Sequence, residues 1–116
     1  MHLLVPGRAG ALLMFKIKAN PTFPATVKIR APGGEVQELP VVFKHMRKDD
    51  VKAFFEEAAA KGRADEDCIL DLVESWKADM PLSRESITEL MQNYPSSAHA
   101  IFACYMQELI DARLGN

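Results

Sequence analysis

The sequence predicts an α+β, helix-dominant fold: an N-terminal β-hairpin or small antiparallel sheet followed by a bundle of about four helices. The first observation is a series of apolar sets at helical spacing in the last two-thirds of the chain. They are Val51/Phe54/Phe55/Ala58, Ile69/Leu72/Val73/Trp76, Ile87/Leu90/Met91/Tyr94 and Ile101/Phe102/Tyr105/Leu109. The first three run i, i+3, i+4, i+7 and the fourth i, i+1, i+4, i+8, so each set shares one helix face. The second observation is period-2 alternation in the preceding third, the mark of half-buried strands. The third is size: 116 residues form one domain that can bury a core without metals or disulfides.

Residues 1–13 are expected to be a poorly ordered leader or extension, because no consistent period runs through them. Met14 then reads as the natural start of a single domain spanning 14–116. Phe15-Lys16-Ile17-Lys18 alternates and is a candidate third strand, residues 14–19, broken by Asn20-Pro21, with Pro24 as a second stop. Thr26-Val27-Lys28-Ile29-Arg30 alternates again, with β-branched side chains at three of five positions. Ala31-Pro32-Gly33-Gly34 is a turn, since Pro presets one φ and Gly admits positive φ. Alternation resumes from Glu35 to Lys44, so the hairpin pairs 25–31 with 35–44. Pro40 cannot donate to a ladder, which predicts an edge strand or a bulge there.

Helix one opens near Asp49-Asp50, whose carboxylates suit free N–H groups and the positive end of the dipole, and stops at Gly62. Helix two starts at Asp65-Glu66-Asp67 and is expected to reach Ala78, with Pro81 preventing continuation. Ser83 caps helix three, which ends at Tyr94 because Pro95 disfavours helical ψ before it. Helix four runs from Ser96 or Ser97 to Arg113, with Gly115 just beyond. Trp76, Phe54, Ile87, Leu90, Phe102 and Tyr105 are the expected core.

Charge is divided along the chain. Residues 1–53 carry nine Lys/Arg and four Asp/Glu, a net of +5; residues 54–116 carry five and twelve, a net of −7, together the overall −2. Such a bipolar molecule can stack head to tail; acidic solvent faces on the helices are the plain alternative. Cys68 and Cys104 lie in apolar helical stretches at no metal or redox spacing, which points to free thiols in a reducing compartment. The apolar part of Leu3–Met14 is interrupted by Pro6, Gly7 and Arg8. It is too short for a bilayer and lacks the layout of a signal peptide.

No arrangement of residues for covalent chemistry appears. His2, His45 and His99 have no ligand spacing to each other or to cysteine. Asp65, Glu66, Asp67 and Asp71 lack the layout of a calcium loop. Gly33-Gly34 has no phosphate-loop Lys after it, and there is no Gly-x-Ser-x-Gly elbow. The chain therefore reads as a binding protein, not an enzyme, with no cofactor and no metal. Lys16, Lys18, Lys28, Arg30, Lys44, Arg47 and Lys48 can line one sheet face and attract phosphates, so a small nucleic-acid-binding regulator is the alternative. Against it, Phe15 and Phe43 alternate with the charges and so point to the other face, whereas nucleic-acid sheets interleave aromatics with cations.

A resemblance enters through a succession of short motifs. They are Phe43-Lys44-His45-Met46-Arg47-Lys48, Asp71-Leu72-Val73-Glu74-Ser75-Trp76, Pro81-Leu82-Ser83 and Leu90-Met91-Gln92-Asn93-Tyr94-Pro95, then Ala100-Ile101-Phe102-Ala103-Cys104-Tyr105 and Ala112-Arg113-Leu114-Gly115-Asn116. In order and spacing, over nearly all of 14–116, the chain resembles the tail assembly chaperones of long-tailed bacteriophages and prophages. The resemblance implies a non-enzymatic protein of the host bacterial cytoplasm that binds the tape measure protein, helps recruit tail tube protein and is absent from the finished virion. It also implies a homo-oligomer and a frameshifted longer form of itself as partners, with no nucleic acid and no membrane. It transfers no list of binding residues. From the residues themselves, Phe54 and Phe55, which diverge by about 100° on a helix, are candidate partner or self-association contacts, with Lys44, Arg47 and Lys48 beside them.

Overall fold

The computed structural model describes residues 14–110. The elements run β1 (Thr22–Arg30), β2 (Val36–Lys44), α1 (Lys48–Lys61), α2 (Asp65–Leu72), β3 (Val73–Trp76), α3 (Arg84–Asn93) and α4 (Ser97–Ile110). The fold class is the predicted one: a small antiparallel sheet and four helices. The sequence-stretch readings for 1–13 and for Arg113 and Gly115 lie outside the described residues.

β1 and β2 form the predicted hairpin in continuous antiparallel register from Thr22↔Lys44 to Arg30↔Val36. Its turn is held by Ala31 N–H to the Glu35 carbonyl (2.7 Å) and Gly34 N–H to the Ala31 carbonyl (2.9 Å). Gly33 and Gly34 both sit at φ near +100° (98° and 100°), where side chains are disfavoured. Pro24 does not stop β1; it pairs with Val42 inside the strand. Odd-numbered residues of the hairpin point inward, and Val27, Ile29, Leu39, Val41 and Phe43 are buried.

Three expectations are corrected in the sheet. Residues 14–19 form no strand; Met14, Phe15 and Ile17 are 84%, 87% and 85% exposed. The third strand is β3, so β2 is central rather than an edge. Pro40 is tolerated there because its polar groups face the end of β3, just past Trp76, where Lys77 N–H donates to its carbonyl (2.9 Å). The irregularity lies instead at Val42/Phe43 against β3.

Helix two therefore ends six residues early, and the same bulge explains the false helical signal. Val73 pairs with Phe43 and Trp76 with Val41, four residues on β3 against three on β2. Two inward side chains thus stand i, i+3 apart, the spacing of a helix. Glu74 and Ser75 fall between them, and Val42↔Ser75 faces outward.

The helix ends follow local chemistry. Gly62 adopts φ 61°, ψ 40°, and the N–H groups of Gly62 and Arg63 close on Ala59 and Ala58 carbonyls (3.3 and 2.9 Å). Asp49 and Asp50 lie in the first turn of α1 but no side chain caps it, so their contribution is to the dipole alone. Ser83 and Ser86 form a reciprocal capping box (2.9 and 3.1 Å). Tyr94, before Pro95, ends α3.

One core joins the inner sheet face to Ile69 and Leu72 of α2, Ile87 of α3, and Ala98, Ile101 and Tyr105 of α4. Ile87 and Tyr105 are fully buried as expected, whereas Trp76, Phe54, Leu90 and Phe102 are half-buried at its margin. α4 lies along the outer edge of β1, where Ser96 Oγ and Cys104 Sγ approach the carbonyls of Arg30 and Thr26 (3.4 and 3.7 Å). Cys68 is buried, Cys104 half-buried, and both are free; burial pushes both thiols up from their ordinary pKa.

Candidate functional site

α1 has fourteen residues but a single buried one, Val51. A helix of that length is ordinarily held by a full apolar stripe. α4 carries more apolar surface than one face can use: Ala98, Ile101 and Tyr105 meet the core, while Phe102, Met106 and Ile110 form a second stripe at i, i+4, i+8. Between the second stripe and α1 runs an open groove of about 1030 Å³. Its floor is Val51, Phe55, Phe102, Met106 and Ile110, and its rim includes Lys48, Asp49, Lys52, Glu56 and His99.

Two aromatic contacts fix the floor. Phe55 meets Phe102 edge to face (centroids 5.9 Å, 89°), and Phe54 meets Phe55 likewise (5.1 Å, 90°). Adjacent on the helix, the two rings diverge to different neighbours. Phe55 faces α4; Phe54 lies under the Arg63 guanidinium, 5.8 Å from its centroid. Arg63 in turn pairs with Asp71 (2.8 Å), the contact that raises its pKa first among several. Neither phenylalanine is fully buried.

Of the five candidate contacts, Phe55 and Lys48 line the groove and Phe54 backs it. Lys44 and Arg47 do not line it. Lys44 ends β2, where its carbonyl accepts the Tyr105 hydroxyl (2.8 Å), and Arg47 is the residue before α1. Sequence reasoning missed Met106 and Ile110 and assigned Phe102 to the core. The available signal was the second α4 stripe, since one core-facing helix needs only one.

The basic residues fall at the two ends of the sheet, Lys28 and Arg30 toward the turn and Lys44, Arg47 and Lys48 at the junction with α1. Lys28 and Lys44 share the outer sheet face but stand at opposite ends of it, Lys28 opposite Glu38 and Lys44 opposite Thr22. Lys16 and Lys18 lie outside the sheet, Arg47 and Lys48 at the start of α1. Phe43 is buried on the inner face and Phe15 is outside the strands, so no aromatic accompanies the outward cations of the hairpin. Among the described residues, no group of three or more His, Cys, Asp or Glu side chains is placed to hold a metal, and no helix is long and apolar enough to cross a membrane.

A groove with an apolar aromatic floor and a charge-balanced rim is suited to the apolar face of an amphipathic helix. A family model described as phage tail assembly chaperone matches residues 11–116. No curated protein and no solved structure matches the chain.

Proposed function

The chain belongs to the phage tail assembly chaperone family, and from that premise we propose that it holds apolar helical segments of the tape measure protein in the groove between α1 and α4. The observation that carries this reading is a fourteen-residue helix with one buried residue, set beside an uncovered apolar stripe. A growing tail holds a long amphipathic partner whose apolar faces would otherwise aggregate; shielding them needs a groove and no bond-making chemistry. On this reading the protein acts non-enzymatically in the host cytoplasm, helps recruit tail tube protein around the covered partner, and leaves before the virion is complete.

Phe55→Ser and Met106→Ser test it. Both positions are half-buried at the edge of the domain, so each variant is expected to stay folded by circular dichroism. Retention of tape measure segments in co-purification should fall at least about tenfold, as for a central interface anchor. The wild-type complex should persist in high salt, because apolar burial resists screening whereas phosphate contacts do not. Folded variants that retain the partner as well as wild type would remove the groove from the mechanism.

A further inference from the structure

The α1/α4 groove opens beside the point where the N-terminal segment joins the sheet. The Pro21 carbonyl accepts from His45 N–H (2.9 Å), three residues before Lys48 on the groove rim. Two residues past Pro21, the Phe23 ring meets Tyr105 (centroids 6.0 Å), the α4 neighbour of Met106 in the groove floor. The segment therefore leaves the domain against the end of the groove where α1 starts.

The segment carries the apolar side chains that the groove lacks. Ala11-Leu12-Leu13-Met14-Phe15 is an unbroken apolar run, and it falls within the residues that the family model matches. Met14, Phe15 and Ile17 are 84%, 87% and 85% exposed. In an extended chain Leu13, Phe15 and Ile17 share one side, and Lys16 and Lys18 take the other. An exposed apolar segment and an uncovered apolar groove are each a surface in need of cover, and here they adjoin on one chain.

The reach is sufficient. Four residues separate Ile17 from Pro21 and span at most about 14 Å; from Phe15 the reach is about 21 Å, and from Leu13 about 28 Å. The floor from Ile110 back to Phe102 runs about 12 Å along α4. A tether this short holds the segment at an effective concentration on the order of millimolar. A second copy at micromolar concentration is outcompeted by the chain's own segment.

We propose that the N-terminal segment folds back on its own chain and seats Leu13, Phe15 and Ile17 against Phe55, Phe102 and Met106. It is an internal occupant of the α1/α4 groove, with Lys16 and Lys18 left in solvent. The arrangement with the segment exposed is the open state, in which the groove can receive a partner. Displacement of the segment by a tape measure helix rests on the function proposed above; the fold-back itself does not. The closed fraction lowers the apparent affinity of every groove ligand in proportion, so the segment sets a threshold that only an extensive apolar face overcomes.

Methyl NMR on the full chain tests the contact. In the wild type the Phe15 ring should show a nuclear Overhauser contact to the Met106 methyl that is unchanged on dilution. Leu13→Ser/Phe15→Ser/Ile17→Ser should keep wild-type circular dichroism, because Phe15 and Ile17 are exposed, and should shift the Met106 and Ile110 methyl resonances. It should also bind the apolar dye anilinonaphthalene sulfonate at least about threefold more tightly, since no closed state competes. Lys16→Ser/Lys18→Ser should leave the Phe15 contact in place. Absence of that contact, or dye affinity equal to wild type in the folded triple variant, would overturn the proposal. A contact that fades on dilution would overturn it by assigning the segment to a second copy. A change in Trp76 emission in the triple variant would overturn it by seating the segment beside the hairpin turn. A Phe15–Met106 contact that survives saturation with a tape measure segment would support the fold-back and remove that partner from the groove.

Discussion

Tyr105 shows how one side chain ties the layers together. Its ring meets Phe43 edge to face (5.1 Å) and Phe23 at a tilt (6.0 Å), and its hydroxyl donates to the Lys44 carbonyl at the end of β2 (2.8 Å). Burial pushes its pKa up to about 12. An unfolded tyrosine ionises near pH 10, so above that pH the unfolded state loses its proton first. The contribution of Tyr105 to stability is therefore complete below about pH 10 and is lost as pH rises toward about 12. Denaturant midpoints should fall over that window in the wild type, and Tyr105→Phe should flatten the fall while costing about 1–2 kcal/mol at neutral pH for the lost hydrogen bond. An equally steep alkaline loss in Tyr105→Phe would assign the effect elsewhere. The burial of Tyr105 was legible because its spacing from Ile101 fits one face. The incomplete burial of Phe102 was not, because a helical period reports which residues share a face and not what covers it.

At the scale of elements, terminators were the most legible features. Gly62, Ser83, Pro95 and the 31–34 turn act through backbone sterics and hydrogen bonds within a few residues, which sequence contains directly. Gly62 offers the cleanest test. A Cβ there meets nothing within 4 Å, so Gly62→Ala costs only the left-handed conformation, about 1 kcal/mol. Gly62→Asn should cost less, because asparagine tolerates that conformation. Chemical denaturation decides, and a wild-type midpoint in Gly62→Ala would mean the helix end rearranges. β3 was illegible for the opposite reason. Val73–Trp76 becomes a strand through pairing with Val41–Phe43, some thirty residues away, and the bulge gives its inward pair a helical spacing.

For the whole molecule, stability is unevenly spread. The sheet, α2, α3 and the inner face of α4 share one core, while α1 is attached through Val51 and its half-buried aromatics. Amides of α1 should exchange through local opening at lower free energy than those of α2 or β2, in native-state hydrogen exchange. Protection of α1 at the global limit would show it to be an integral part of the core. A loosely held helix is also the element best able to adjust to partners of varied sequence, which fits its place in the proposed groove.

The sequence by itself determined the fold class, the hairpin and its turn, where most helices begin and end, and the resemblance that the family match bears out. Those rest on short-range constraints and on an ordered series of local motifs. Only the tertiary structure decided that β3 completes the sheet, that residues 14–19 do not, and that the second stripe of α4 faces a groove. Each depends on contacts between distant segments. Burial is settled by which surfaces meet in the folded chain, and apolar periodicity marks a surface to be covered without naming its cover.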